Sequence, residues 1–117
     1  MLTYWGYSKA AQLGGNENPG MWMAGGTLRL LERAADDIIH IDLDACQAYD
    51  QGLTHAGSVQ CPTLFILGER DIMTPMRSAQ KLVGSVADAK VCVIDGSGHS
   101  LMMERPNDVL DALIGIV

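Results

Sequence analysis

The 117-residue sequence predicts an α/β fold, in which two parallel strands with flanking helices (βαβα) follow a mainly helical segment. Two short apolar runs predict the strands: residues 62–67, which Gly68 closes, and residues 89–94, which Asp95-Gly96 closes. Continuous apolar runs of this length are typical of strands that are buried on both faces of a parallel sheet. A helical pattern follows each run, and this order connects parallel strands through a right-handed crossover.

The first part of the chain, residues 1–57, is predicted to consist of loops and short helices. Glycines interrupt it at positions 6, 14, 15, 20, 25 and 26, and such punctuation is typical of irregular structure. One helix is predicted over residues 27–35 with Thr27 as its N-cap, and another over residues 43–49 with Asp42 as its cap.

The second part, residues 58–117, contains both strands and two longer helices. Thr74-Pro75 predicts a helix start, with Thr74 as N-cap and Pro75 at the first helical position, and Pro106 opens the last helix. Apolar residues recur at helical spacing in each helix: Met76, Ala79, Leu82 and Val83 in the first, and Val109, Leu110, Leu113, Ile114 and Val117 in the second.

Composition limits the class of protein and of partner. Hydrophobic residues make up 48% of the chain, which is too many for a disordered protein. The balance of 14 acidic against 8 basic side chains, with the basic ones scattered singly, argues against nucleic acid. No apolar run approaches the roughly 20 residues that span a bilayer, and no signal-like N-terminus is present. We expect a cytoplasmic protein without a membrane partner.

The three cysteines, Cys46, Cys61 and Cys92, lie in apolar patterns and lack the spacing of metal ligands. They are predicted to be reduced thiols in the core. No metal site and no cofactor are predicted.

The candidate site lies in the two loops that follow the strands. Asp71 follows the first strand and His99 follows the second, and the carboxyl ends of parallel strands meet at one edge of the sheet. We therefore expect the two side chains to approach each other. An aspartate in that position can accept the Nδ1 proton of an imidazole, fix its tautomer and stabilise the imidazolium.

These loops also resemble a known family. Gly68-Glu69-Arg70-Asp71 with Thr74-Pro75 beyond, and Gly96-Ser97-Gly98-His99 followed by Glu104 and Pro106, are similar to the C-terminal third of an α/β-hydrolase. The resemblance covers about residues 60–117, and residues 1–57 resemble the end of the helical cap of such enzymes. It implies that Asp71 is the acid and His99 the general base of a Ser–Asp–His triad.

The nucleophile of that family is missing from the sequence. The Gly-x-Ser-x-Gly elbow does not occur in these 117 residues, and Gly96-Ser97-Gly98 has the wrong spacing. The oxyanion-hole donors of the family also come from earlier segments. An in-frame elbow encoded upstream of Met1 would identify the chain as a hydrolase fragment.

Simpler interpretations stand beside these. His99 could be a loop histidine, and Asp71 a carboxylate at a helix N-terminus. Glu69 and Glu104 are interpreted as surface charges or loop braces, and His40 and His55 receive no function. The apolar residues near the site could form an adaptable pocket for an acyl chain or ring, although ordinary packing is favoured: Met21, Trp22, Met23, Met73, Leu101, Met102 and Met103.

Three functions remain open. The first is the C-terminal part of a serine hydrolase acting on a small apolar acyl or ring compound, inactive alone. The second is a non-catalytic remnant that binds or dimerises, and the third is a residual hydrolase in which Asp71 and His99 activate water. Because strand 63–67 lacks the neighbour that the family provides, we expect its bare edge to form a homodimer.

Overall fold

A computed structural model describes residues 2–15, 17 and 20–116. Within them, helices dominate the first part of the chain, and the strands alternate with helices in the second. Eight helices and two strands follow in chain order over the described residues: α1 Leu2–Gly6, α2 Lys9–Gln12, α3 Met23–Arg33, α4 Ile38–Ala48, α5 Gly52–Ala56, β1 Thr63–Gly68, α6 Met76–Ser85, β2 Ala89–Ile94, α7 Leu101–Glu104 and α8 Pro106–Ile114.

The two strands pair in parallel, with Thr63 opposite Ala89, and α6 forms the crossover between them. The predicted βαβα order is therefore confirmed. Strand β1 begins one residue later than predicted. Thr63 provides the first hydrogen bond by donating its N–H to the Asp88 carbonyl at 2.9 Å, whereas Pro62 has no N–H to donate.

Helix α6 begins at Met76, so the prediction of Thr74 as its N-cap was wrong. Pro75 occupies the capping position with an extended backbone (ψ 145°). The Thr74 hydroxyl instead donates to the Asp71 carboxylate at 2.7 Å. The nearby carboxylate is a stronger acceptor than the backbone, and it removes this hydroxyl from the helix end.

Helix α3 begins at Met23, four residues before the predicted start, and Thr27 lies inside it. Glycines 25 and 26 disfavour a helix by propensity, but the missing side chain of Gly25 makes room for the Trp22 ring. A Cβ at Gly25 would collide with that ring. Packing of the ring over the first turn thus offsets the local cost of glycine.

Helix α4 also begins earlier than predicted, at Ile38, and Asp42 lies in its interior. The preceding residue, Asp37, adopts a left-handed conformation (φ 66°) that separates α4 from α3. Aspartate is one of the few residues that tolerate this conformation at modest cost. The short helices α5 and α7 have no counterpart in the prediction.

The core lies in two places. Helix α6 packs on both strands and α8 packs on β2, while Tyr7 joins α2 to α3. The first part of the chain remains in contact with the second through α5 and α6. The domain division at residues 57 and 58 stays a prediction. The buried apolar residues are Tyr7, Ala11, Met23, Ala24, Ala56, Val86, Ile94 and Val109.

The prediction that the cysteines are core residues was wrong for two of the three. Cys46 and Cys61 are exposed and Cys92 is half-buried, and all three are free thiols. Cys46 lies on α4, a helix with no buried residue among those described. An apolar sequence pattern predicts a buried face only where another element covers it.

The sheet leaves apolar surface uncovered. In the described part of the chain, β1 has β2 as its single neighbour, so its opposite edge carries unpaired backbone groups. Val91 and Val93 of β2 are 49% and 40% exposed. Among the described helices, none is both long and apolar enough to cross a membrane.

Candidate functional site

The loops that follow β1 and β2 are joined by backbone hydrogen bonds. The Glu69 N–H donates to the Ile94 carbonyl at 3.1 Å, and the Arg70 N–H donates to the Ser97 carbonyl at 2.9 Å. Gly68 is buried against the second loop, and a Cβ there would collide with the Ser97 carbonyl oxygen. The close approach of two backbones therefore requires glycine at this strand end.

Asp71 and His99 lie on these two loops, and the structure brings them together. The Asp71 Oδ2 atom lies 2.9 Å from Nδ1 of His99. The Asp71 side chain is 6% exposed, whereas that of His99 is 38% exposed. The Nε2 atom of His99 makes no hydrogen bond within the described residues, so this nitrogen is open to a further proton donor or acceptor.

The Asp71 carboxylate is held by its own loop. Its Oδ1 atom accepts the N–H groups of Met73 and Thr74 at 2.9 and 2.8 Å, and Oδ2 accepts the Thr74 hydroxyl at 2.7 Å. Burial alone would raise the pKa of the Asp71 carboxyl. The Thr74 amide and hydroxyl and the His99 ring outweigh that effect and hold the pKa below its ordinary value, so the carboxylate is ionised at neutral pH.

This lowered pKa predicts a loss of stability in acid. The folded chain binds the Asp71 proton less readily than the unfolded chain does, so the contribution is complete above the ordinary aspartate pKa of about 4 and disappears as pH falls below it. We expect the unfolding free energy, measured by urea titration between about pH 6 and pH 3, to fall less steeply in Asp71→Asn than in the wild type. Parallel slopes for the two proteins would contradict this.

Glu104 is the second carboxylate of the site, and it is buried (3% exposed). Its two oxygens accept the N–H of Gly98 at 3.1 and 3.2 Å and the N–H of Ser8 at 3.2 Å each. The carboxylate thus ties the histidine loop to the first part of the chain. Glu69 acts similarly at the surface, where it accepts the N–H of Gly96 at 2.8 Å. The loop-brace interpretation describes both, whereas a surface position is wrong for Glu104.

Tyr7 is a buried anchor that the sequence analysis missed. Its hydroxyl lies 2.6 Å from the Thr27 hydroxyl, 3.2 Å from the Met103 sulfur and 3.3 Å from the Met23 carbonyl oxygen. These contacts join α3 to the short helix that follows His99. They show that Met23 and Met103 take part in packing, while Met102 is 71% exposed. A tyrosine in a glycine-rich segment gives no periodic signal that would have identified it.

The serines nearest in sequence to these contacts are not free. Ser97 is fully buried, with its hydroxyl 3.4 Å from the Gly98 carbonyl oxygen. Ser8 is 4% exposed, and its hydroxyl accepts the Ala11 N–H at the start of α2. Neither hydroxyl is available as a nucleophile. The histidines without an assigned function lie on other elements, His40 on α4 and His55 on α5. In the part of the chain that is described, no group of three or more His, Cys, Asp or Glu could hold a metal ion.

Comparison with known proteins agrees with this architecture. The model of the TAP-like protein family, an α/β-hydrolase family, matches residues 39–115. The monoacylglycerol lipase ABHD6 of Bos taurus is 32% identical over 56 residues, which are 48% of this chain and 17% of the relative. Monoacylglycerol lipase abhd6-A of Xenopus laevis is 35% identical over 48 residues, which are 41% and 14% of the two chains.

A solved structure shows the same fold. The structure described as "Est816 as an N-Acyl homoserine lactone degrading enzyme" superposes with a TM-score of 0.74 at 25% sequence identity. The match covers 99% of this chain and 45% of that one. The chain therefore spans less than a fifth of the lipases and less than half of the lactone-degrading enzyme.

Proposed function

Because the chain belongs to the TAP-like family of α/β-hydrolases and has part of that fold, we propose that it supplies the acid and the histidine of a serine-hydrolase site. Asp71 is the acid and His99 is the general base. The hydrogen bond of 2.9 Å between Asp71 Oδ2 and His99 Nδ1 carries the proposal. It joins two residues 28 positions apart at the ends of two parallel strands, where catalytic residues gather in such sheets.

The geometry suits proton transfer through the far side of the ring. With Nδ1–H bound to the ionised Asp71, Nε2 carries a lone pair and can take the proton of a serine hydroxyl as that oxygen attacks a carbonyl carbon. Asp71 then stabilises the imidazolium. When the tetrahedral intermediate collapses, Nε2 returns the proton to the leaving oxygen, and a water molecule repeats the cycle to release the acid.

The serine and the oxyanion-hole donors belong to segments outside this sequence, since no Gly-x-Ser-x-Gly occurs in it. We therefore expect the 117 residues to be inactive by themselves. The relatives named as monoacylglycerol lipase and as a lactone-degrading enzyme both point to a carboxylic ester bond as the substrate class. The three free thiols favour a reducing compartment such as the cytoplasm.

The test joins the chain to what it lacks. We would measure hydrolysis of p-nitrophenyl acetate and butyrate by the chain alone, and by a chimera in which it replaces the matching 45% of the lactone-degrading enzyme. The chain alone is expected to give no turnover. The chimera is expected to hydrolyse the esters, and His99→Ala is expected to lower its rate by about 10³-fold or more.

The matched control is His40→Ala, which removes an exposed histidine of α4 and should leave the chimera's rate unchanged. Turnover by the folded chimera that survives His99→Ala would contradict the assignment. Turnover by the chain alone that is lost in His99→Ala would instead support direct activation of water by the Asp71–His99 pair.

The second candidate function is a binding or dimerisation module, and the free edge of β1 favours it. In a two-fold dimer the β1 edges of two copies would pair antiparallel and extend the sheet. Light scattering behind a sizing column should then give twice the 12.6 kDa chain mass, and amides of β1 that do not pair with β2 should be protected from hydrogen exchange. A monomer at micromolar concentration with unprotected β1 amides would exclude this dimer.

A further inference from the structure

Thr74 contacts both members of the Asp71–His99 pair. Its hydroxyl oxygen lies 2.7 Å from Asp71 Oδ2 and 3.1 Å from His99 Nδ1. With the 2.9 Å contact between Oδ2 and Nδ1, the three atoms form a closed triangle. We propose that Thr74 is a positioning residue of this pair, whose hydroxyl fixes the Asp71 oxygen that faces the ring and the ring nitrogen that carries the proton. The proposal rests on the proposed function of Asp71 and His99.

The direction of each hydrogen bond follows from a count of the protons. The Thr74 hydroxyl has one proton, and Asp71 Oδ2 is its shortest acceptor, so Thr74 donates to the carboxylate. The hydroxyl oxygen then presents only lone pairs to Nδ1 of His99. Oδ2 of the ionised carboxylate also presents only lone pairs. Two acceptors and no other donor face Nδ1, so Nδ1 must carry the proton, and the lone pair of the neutral ring lies on Nε2.

The loop keeps the Thr74 hydroxyl in this position. The Thr74 N–H donates to Asp71 Oδ1 while its side chain donates to Oδ2, so one residue holds both oxygens and the carboxylate cannot rotate. Pro75 follows directly, and a residue before proline is kept out of the helical conformation. Thr74 therefore stays in the loop and does not join α6, where its hydroxyl would turn towards the backbone.

The neighbouring charged side chains do not replace this contact. Glu69 and Arg70 lie 3.7 Å apart at the surface, and Glu69 accepts the Gly96 N–H. Within the described residues, the donors to the Asp71 side chain are Met73, Thr74 and His99. Thr74 is the one among them whose side chain touches both Asp71 and the ring, so removal of its hydroxyl should alter both partners at once.

Nuclear magnetic resonance of the ¹⁵N- and ¹³C-labelled chain tests the proposal. Thr74→Val keeps the shape of the side chain but removes the hydroxyl, Thr74→Ser keeps the hydroxyl, and Thr54→Val on α5 is the control for the exchange of threonine for valine. In Thr74→Val we expect the Nδ1 proton of His99 to exchange with solvent about five- to tenfold faster and the pKa of the Asp71 carboxyl to rise. Thr74→Ser and Thr54→Val should resemble the wild type in both measurements.

The wild type provides a readout that does not depend on any variant folding. A Thr74 hydroxyl proton that exchanges slowly and shows a nuclear Overhauser effect to Hδ1 of His99 supports the proposal. A hydroxyl that exchanges at the solvent rate overturns it. Equal values in folded Thr74→Val and wild type, or a Thr74→Ser variant that behaves like Thr74→Val, also overturn it.

The failure of the two proposals can be told apart. If His99 of the wild type carries its proton mainly on Nε2, or if Asp71→Asn leaves the Nδ1 signal unchanged, the Asp71–His99 pair itself is absent and the proposed function fails. If the pair is present and Asp71→Asn removes the Nδ1 signal, but Thr74→Val changes nothing, only the role of Thr74 is wrong.

Discussion

Replacing Gly98 with alanine is expected to destabilise the chain by about 3 kcal/mol and to separate His99 from Asp71. A Cβ at Gly98 would collide with the backbone of Tyr7 and Ser8 and with a carboxylate oxygen of Glu104. Backbone atoms cannot move aside as the end of a flexible side chain can. The loop would have to retreat from the first part of the chain, and His99 follows Gly98 directly.

Urea unfolding followed by circular dichroism measures the stability, and the His99 ring signals report the separation from Asp71. The matched control is Gly84→Ala in α6, where a new Cβ meets no atom within 4 Å. Because alanine favours a helix more than glycine does, this control should stabilise the chain by up to about 1 kcal/mol. Equal stabilities for Gly98→Ala and Gly84→Ala would show that the junction at Gly98 is looser than its geometry indicates.

The strands and the Asp71–His99 contact were predictable because each depends on a local pattern and one topological rule. Apolar runs closed by glycine marked β1 and β2, and the parallel arrangement followed from the helix between them. Once the strands are parallel, their carboxyl ends lie at one edge. Residues 71 and 99 must then be neighbours, whatever the rest of the chain does.

The junction between the two parts of the chain was not predictable from such patterns. Tyr7 and Glu104 are 97 positions apart in sequence, and neither belongs to a periodic stretch. Their importance comes from burial and from the backbone groups that they meet, which only the folded chain defines. The early start of α3 has the same origin, since packing of the Trp22 ring on Gly25 outweighs the propensity of the sequence.

Replacing Glu104 with leucine is expected to have the largest effect on stability, a loss of roughly 2–6 kcal/mol. The carboxylate is 3% exposed and accepts the N–H groups of Ser8 and Gly98. Leucine is similar in size but leaves both amides buried without an acceptor, and each such group costs about 1–3 kcal/mol. Small domains are stable by only about 5–15 kcal/mol, so this loss would remove a large share of the total.

Glu104→Gln separates the role of charge from that of shape. One carboxylate oxygen becomes an NH₂ group, which cannot accept a proton from the amides, so we expect a loss of about 1.5–3 kcal/mol in urea titrations. Glu69→Gln is the matched control, because Glu69 also accepts a loop amide but its side chain is 49% exposed. Water can replace that acceptor, and the loss should stay below about 1 kcal/mol. If Glu104→Gln and Glu69→Gln cost the same, burial of the Glu104 carboxylate would not be what joins the histidine loop to Ser8. If Glu104→Gln costs more and the His99 ring signals shift with it, the brace at Glu104 also sets the position of the base.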